Sequence, residues 1–310
     1  MTEHIGGDED ITGVVFDLDT FAVDDGPGIR MAVHFKGCPL RCRWCHGPES
    51  QRRAPEVILV RDRCAFCGRC VEVCSHGVHV VTDHAHTRDM SHCVVCGHCV
   101  EECPTGALAT KGTEMPASAI VERAERMKPF FAHSGGGVTL TGGEVTMQVE
   151  FAEAVLAGCR QLDIHTTIET CGACSWEQLA RLLPHTDLVL YDLKIMDDVD
   201  HQRWTGASNR NILSNAKRLA SSDVEVQIRV PLIPGITDTE DNLSDIFAFM
   251  RDAGLPSVAL LTYNPSASAK YEWIDEPYAL DDGAIEPQNA NEMEHIRQHA
   301  ISSGLEAVIG

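Results

Sequence analysis

The chain has 310 residues and a formal charge of -21, with only six lysines (Lys36, Lys111, Lys128, Lys194, Lys217, Lys270) against nineteen arginines, a balance that disfavours nucleic acid as substrate. No apolar run approaches the roughly 18 residues of a membrane span, and Met1-Thr2-Glu3-His4-Ile5-Gly6-Gly7-Asp8 is no charged-then-apolar leader, so a soluble cytoplasmic protein without a membrane partner is expected. In such a reducing compartment fourteen cysteines read as metal ligands more readily than as disulfides, and the length fits one barrel-sized domain with a small insert.

In chain order, Val14-Val15-Phe16 and Ile29 to Phe35 read as strands divided by the turn Asp25-Gly26-Pro27-Gly28. The loop after the second strand carries Gly37-Cys38-Pro39-Leu40-Arg41-Cys42-Arg43-Trp44-Cys45-His46, a C-x3-C-x2-C run. It supplies three thiolates, whereas a complete 4Fe-4S cluster or a closed zinc site takes four ligands, so an open coordination position is expected. Three stray cysteines or a zinc knuckle is the bland reading of the same run.

From about 55 to 112 the composition shifts to cysteine, histidine and valine, and a 29-residue repeat appears: Cys64, Cys67, Cys70 and Cys74 recur as Cys93, Cys96, Cys99 and Cys103, and Gly68 as Gly97. Each C-x2-C-x2-C-x3-C run has the spacing of a bacterial two-cluster ferredoxin, in which the fourth cysteine ligates the other cluster. Cys64, Cys67, Cys70 and Cys103 are therefore assigned to one 4Fe-4S site, and Cys93, Cys96, Cys99 and Cys74 to the second. Cys103 precedes Pro104 as in that pattern, while Cys74 precedes Ser75. Paired zinc sites, with His76, His92 and His98 nearby, are the alternative.

Beyond the insert, strand-like segments (Gly137 to Thr141, Thr166 to Glu169, Leu188 to Asp192, Val224 to Val230, Val258 to Tyr263) alternate with amphipathic ones near 116–132, 148–161, 175–183, 209–221 and 239–253, with a last near 287–303. This alternation predicts an α/β fold with a parallel sheet. With the strand before Cys38, six units emerge, a partial (β/α)6 barrel, whose C-terminal strand ends are where a site belongs. The motifs fall there. Gly142-Gly143-Glu144 ends one strand, and the stretch from Ser134 lacks the G-x-G-x-x-G order of a dinucleotide loop. Glu169-Thr170 and Asp192-Leu193-Lys194 end the next two, with Asp192 and Lys194 on one strand face. Cys171 and Cys174 read as unpaired structural cysteines and Cys159 as core.

Asp25-Gly26-Pro27-Gly28-Ile29-Arg30, followed by Lys36 to Cys45 and His46-Gly47-Pro48-Glu49-Ser50, resembles the N-terminal signature of glycyl radical enzyme activating enzymes, members of the radical S-adenosylmethionine (SAM) superfamily, and the likeness runs from about residue 12 to the end. It implies that Cys38, Cys42 and Cys45 hold a 4Fe-4S cluster whose fourth iron is chelated by the amino and carboxylate groups of SAM. Gly142, Gly143 and Glu144 would receive the methionine ammonium and Lys194 its carboxylate, while Glu169, Thr170 and Asp192 line the ribose or a nearby monovalent-cation site. Arg229, in Arg229-Val230-Pro231, falls on the cosubstrate side, and Asn264 stands where many members carry a histidine. Val145-Thr146 replaces the family's Pro-Leu after Glu144. Asp25 would lie near the partner's glycyl loop, a tight turn being the plainer account of that residue.

The resulting expectation is a radical SAM type partial barrel (12–54 and 113–310) with a ferredoxin-like insert (55–112) and three 4Fe-4S clusters. It would cleave SAM reductively, with electrons from an external low-potential donor such as flavodoxin or ferredoxin, and abstract a Cα hydrogen from a glycine of a partner glycyl radical enzyme. A radical SAM enzyme acting on a small molecule would share the three cysteines. An electron-transfer ferredoxin would explain the insert and leave about 250 residues idle.

Overall fold

The computed structural model describes residues 10–280 and 285–310; Met1 to Asp8, on which the expectation about a leader rests, lie outside the described residues. Among these, no helix is long and apolar enough to cross a membrane.

The chain opens with β1 (Thr12–Ala22) and β2 (Arg30–Phe35), an antiparallel pair joined through the Asp25 turn. β1 runs six residues beyond Phe16, where the valine-rich stretch ends, because cross-strand pairing with β2 carries it through the polar Asp17 to Thr20. A cysteine-rich segment follows, with β3 (Glu56–Leu59), α1 (Arg69–Val73), β4 (His79–Val81), β5 (His86–Arg88), α2 (His98–Glu101) and β6 (Leu108–Lys111). β3 pairs antiparallel with β6, and β4 with β5. The chain rejoins the main sheet through β7 (Thr113–Pro116), antiparallel to β1, and enters α3 (Ala117–Ser134).

Then β/α units alternate: β8 (Gly137–Gly142) with α4 (Val149–Gln161), β9 (His165–Thr170) with α5 (Trp176–Leu182), β10 (Leu188–Asp192) with α6 (Asp198–Thr205) and α7 (Arg210–Leu219), β11 (Glu225–Pro231) with α8 (Glu240–Ala253), and β12 (Ser257–Leu261) with α9 (Ala267–Trp273) and α10 (Ala290–Ser302). A seventh parallel strand, β13 (Glu306–Ile309), closes the order β13-β12-β11-β10-β9-β8-β2-β1-β7. The nine-stranded sheet is an open partial barrel of six β/α units with β13 at one edge and the antiparallel β1 and β7 at the other. Four residues, only one of them partly covered, leave β13 without a period of its own.

The central strands are buried on both sides, as β/α crossovers require. β2 and β8 contribute Met31, Val33, Val138 and Leu140; α4 adds Phe151, Val155 and the fully buried Cys159, and α8 adds Ile246 and Phe247. The cysteine-rich segment has its own small core, built on Val57, Leu59, Ala107, Leu108 and Cys99.

Candidate active site

At the C-terminal ends of the parallel strands the loop after β2 folds over a cavity of about 530 Å³. Backbone bonds fix that loop: Gly37 N–H donates to Ser50 O (2.7 Å), Cys38 N–H to Gln51 O (3.1 Å), Arg41 N–H to Thr205 O (2.7 Å) and Arg43 N–H to Trp204 O (3.1 Å). The His201 to Gly206 segment, which has no assigned role from sequence, is thereby the shelf of the cysteine loop. Trp44 is buried 6.5 Å from the Trp204 ring, and Arg43 and Arg203 stack on the latter.

Cys38, Cys42 and Cys45 all line the cavity. Burial pushes the Cys42 and Cys45 thiols up, whereas a hydrogen bond with Cys171 draws Cys38 down. Cys171, expected to be structural, lines the same cavity; Cys174 is held behind it, where Asn215 donates to its carbonyl (3.1 Å).

The wall of the same cavity also brings together Gly142, Gly143, Glu169, Thr170, Asp192, Lys194 and Arg229. Lys194 Nζ donates to Asp192 Oδ2 at 2.7 Å; against the cost of burial, Asp192 and Cys42 hold the ammonium above its ordinary pKa. Glu169 accepts from the Thr141 hydroxyl at 2.6 Å, and against burial Arg229 and that bond hold it below the ordinary carboxylate range. Arg229 Nη1 comes within 3.2 Å of Glu169 Oε1. The contact lacks the angle of a hydrogen bond, so among the described residues this buried nitrogen has no acceptor.

Glu144 is placed differently from an exposed ligand. Its Oε1 accepts from Thr146 N (3.1 Å), Thr146 Oγ1 (2.8 Å) and Thr170 Oγ1 (2.7 Å), and its Oε2 from Cys171 N (2.9 Å). At 1 % exposure it lies behind the wall, where its carboxylate ties the ends of β8 and β9 together, and the surface offered from this segment is Gly142 and Gly143. A Cβ on Gly143 would sit 2.4 Å from Gly37 O, so only glycine lets the two loops meet. Thr146, which replaces the family's leucine, supplies two of the bonds that turn Glu144 inward. Asn264 lines the cavity, but its Oδ1 accepts from Ser266 N at 3.0 Å and closes its own turn.

Asp25 does not line the cavity; Asp24 does. The turn is anchored by Arg30, fully buried, which donates to Thr139 Oγ1 (2.5 Å), Val138 O (2.7 Å), Thr167 Oγ1 (2.9 Å) and Pro27 O (3.1 Å). Burial and the Glu169 carboxylate push Asp25 above the ordinary value. Asp24 and Asp25 lie in the bend between β1 and β2, where no strand or helix period tells the two apart.

The cysteine-rich segment gathers its thiols into two hollows. Cys64, Cys67, Cys70 and Cys103 line one, and Cys74, Cys93, Cys96 and Cys99 the other, so each hollow takes its fourth thiol from the opposite run. Phe66 and Val95, 29 residues apart, both adopt positive φ (51° and 55°), a costly conformation for a bulky or β-branched residue. His86 lines the first hollow and His79 the second. Neither histidine stands near a cysteine in sequence; the hairpin of β4 and β5 brings them in.

A family model described as the radical SAM superfamily matches residues 32–247. Among curated relatives, the isethionate sulfite-lyase activating enzyme of Nitratidesulfovibrio vulgaris is 37 % identical over 301 residues, covering 93 % of this chain and 96 % of its own. The choline trimethylamine-lyase activating enzyme of Oleidesulfovibrio alaskensis is 39 % identical over 275 residues, covering 86 % and 89 %. Among solved structures, Streptococcus suis SuiB bound to its precursor peptide shares the fold at a TM-score of 0.52 and 14 % identity, over 88 % of this chain and 46 % of that one.

Proposed function

Since this chain belongs to the radical SAM superfamily, and within it to the activating enzymes of glycyl radical enzymes, we propose that Cys38, Cys42 and Cys45 hold its reacting 4Fe-4S cluster and that the cavity beside them receives SAM. When bound there, such a cluster supplies the one electron that cleaves SAM to methionine and the 5'-deoxyadenosyl radical that takes the Cα hydrogen of a partner's glycine. The donor chemistry fits the group: three loop thiols facing one cavity are what an open cluster needs.

The observation that carries the cosubstrate is the polar wall of the cavity that those thiols also line. Lys194 presents a buried ammonium to a carboxylate, Arg229 keeps an unpartnered N–H for an acceptor, and Gly142 and Gly143 let a ligand approach the backbone. Asp24, Glu169 and Asp192 outnumber these two cations, which suits the positive sulfonium and ammonium of SAM, and Glu169 with Asp192 also suits a monovalent cation. Thr170 and Glu144 hold the strand ends in register. Asp25, one residue behind the wall, is the contact we assign to the partner's glycyl loop.

We assign the barrel to 12–54 and 113–310 and a ferredoxin-like insert to 55–112, with two further clusters on Cys64, Cys67, Cys70 and Cys103 and on Cys93, Cys96, Cys99 and Cys74, three in all. Supporting this are the four thiols in each hollow, the separate core, and the return to the main sheet at Thr113. The insert would pass electrons from an external low-potential donor such as flavodoxin or ferredoxin. A reducing cytoplasm suits fourteen cysteines that are all unpaired. The two relatives are named for different partners, so the proposal rests on their common chemistry, the activation of a glycyl radical enzyme.

The test is anaerobic reconstitution followed by reduction with SAM and a peptide of a glycyl loop deuterated at Cα. Deuterium should enter 5'-deoxyadenosine, and about twelve irons per chain should fall to about eight in the C38A/C42A/C45A variant. Cleavage without label transfer sinks the glycine assignment, and zinc in place of iron sinks the insert assignment.

A further inference from the structure

The 29-residue repeat extends beyond the cysteines into the hairpins that cover them. β3 and β6 pair Leu59 with Leu108 and Val57 with Thr110, while β4 and β5 pair Arg88 with His79 and Val81 with His86. Shifted by one repeat, Val57 corresponds to His86, and His79 to Leu108. Val57 lines the hollow of Cys93 as His86 lines that of Cys64. The two halves therefore match in fold and differ in chemistry at equivalent places: one apolar pair, one pair of imidazoles.

Those imidazoles are buried, at 5 % exposure for His79 and 3 % for His86, and they touch. His79 Nδ1 is 3.0 Å from His86 Nε2; His86 Nδ1 is 3.5 Å from Cys64 Sγ, and its Nε2 is 3.8 Å from Cys70 Sγ. Thiolate ligands only accept. With the thiolates as acceptors, His86 Nδ1–H donates to Cys64 Sγ, which leaves His86 Nε2 to accept from His79 Nδ1–H. Arg88 faces the pair from the same hairpin, but its guanidinium is 2.6 Å from Asp275 and is spent on that carboxylate.

We propose that the His79–His86 pair makes the two clusters of the insert inequivalent: His86 donates to the Cys64 cluster, while at the Cys93 cluster Val57 offers no donor and His79, which lines that hollow, bonds to His86 and reaches no thiol there among the described residues, so the Cys64 cluster has the higher reduction potential. A hydrogen bond to a ligand sulfur stabilises the more negative, reduced state, and such bonds are among the determinants of iron-sulfur potentials. An electron that enters the insert then rests on the Cys64 side. This inference rests on the assignment of two clusters to 55–112.

The test is a redox titration followed by electron paramagnetic resonance on the full chain carrying C38A/C42A/C45A, so that only the insert clusters report. With the pair intact, two midpoints are expected. His86→Val, which installs the residue found at the equivalent position, should lower the higher midpoint and leave the other in place, with a change of about tenfold in electron partition, or about 59 mV for one electron. His86→Asn, which keeps an N–H donor, should restore part of the shift. Two loaded clusters with unmoved midpoints overturn the inference and leave the cluster assignment standing. Fewer than two clusters in the background protein overturn both. Should His86→Val fail to load, His79→Leu leaves His86 in place but removes the donor behind it and must lower the same midpoint; no change there overturns the inference.

Discussion

Lys194 Nζ stands 2.7 Å from Asp192 Oδ2 on the cavity wall, with both side chains largely covered. The two residues leave the C-terminal end of β10 on the same face, so one carboxylate pre-positions the ammonium that we assign to the carboxylate of SAM. Lys194→Met should weaken SAM binding by about 2 kcal/mol or more, roughly 30-fold, because it removes one partner of a buried charge pair and leaves Asp192 uncompensated. Equilibrium dialysis with labelled SAM reads this directly, and an unchanged affinity sinks the assignment.

Arg30 is the structural reason for the Asp25 turn. Its guanidinium reaches Val138 and Thr139 on β8, Thr167 on β9 and Pro27 in the turn itself. Arg30→Met should cost about 3 kcal/mol or more, because several buried acceptors lose their donor at once. Denaturant unfolding measures it; a cost below about 1 kcal/mol means that the turn is held by its backbone alone.

Asp25 carries a pH dependence with a definite sign. Burial and Glu169 raise its pKa above the ordinary 3.8, so the folded state favours the protonated acid. That advantage is fully present below the ordinary value and is lost as pH rises through the raised one. Asp25→Asn should therefore melt above the wild type at neutral pH, with the difference shrinking as pH falls toward the ordinary value. The same substitution should lower the ratio of glycine hydrogen abstracted to SAM cleaved. A lower melting temperature at neutral pH contradicts the electrostatic account.

What the sequence made legible is what short-range spacing encodes. C-x3-C-x2-C fixes three thiols within one loop, and in the repeated cysteine run the fourth cysteine of each half, Cys74 or Cys103, lines the hollow of the other half. Strands that are continuous apolar runs, such as Leu188 to Tyr191, are equally plain. What spacing does not encode is side-chain direction. Glu144 turns inward because Thr146, two residues on, and Thr170, on the next strand, both donate to it. Asp24 rather than Asp25 lines the cavity, and the two stand in a bend, where no strand or helix period predicts direction. His79 and His86 meet their thiols only through a hairpin, and neither lies within four residues of a cysteine in the sequence.

The join between the cysteine-rich segment and the barrel supplies a last prediction. Asp275 accepts from Arg61 and Arg88, and Arg88, with no exposed side-chain surface, also donates to Trp273 O and Val57 O at 2.8 Å. Asp275 holds a positive φ of 58°, so its conformation is maintained by these contacts. It follows α9, whose Tyr271 hydroxyl lies 3.5 Å from Cys42 O in the cysteine loop, so the clamp and the reacting site share one short helix. Asp275→Ala leaves Arg88 buried without its carboxylate and should cost about 3 kcal/mol or more. If the insert delivers electrons through this junction, the variant should slow SAM cleavage driven by a protein donor and spare cleavage driven by a small chemical reductant that reaches the cavity itself. Equal slowing under both reductants would place the effect in the cavity and not in electron delivery.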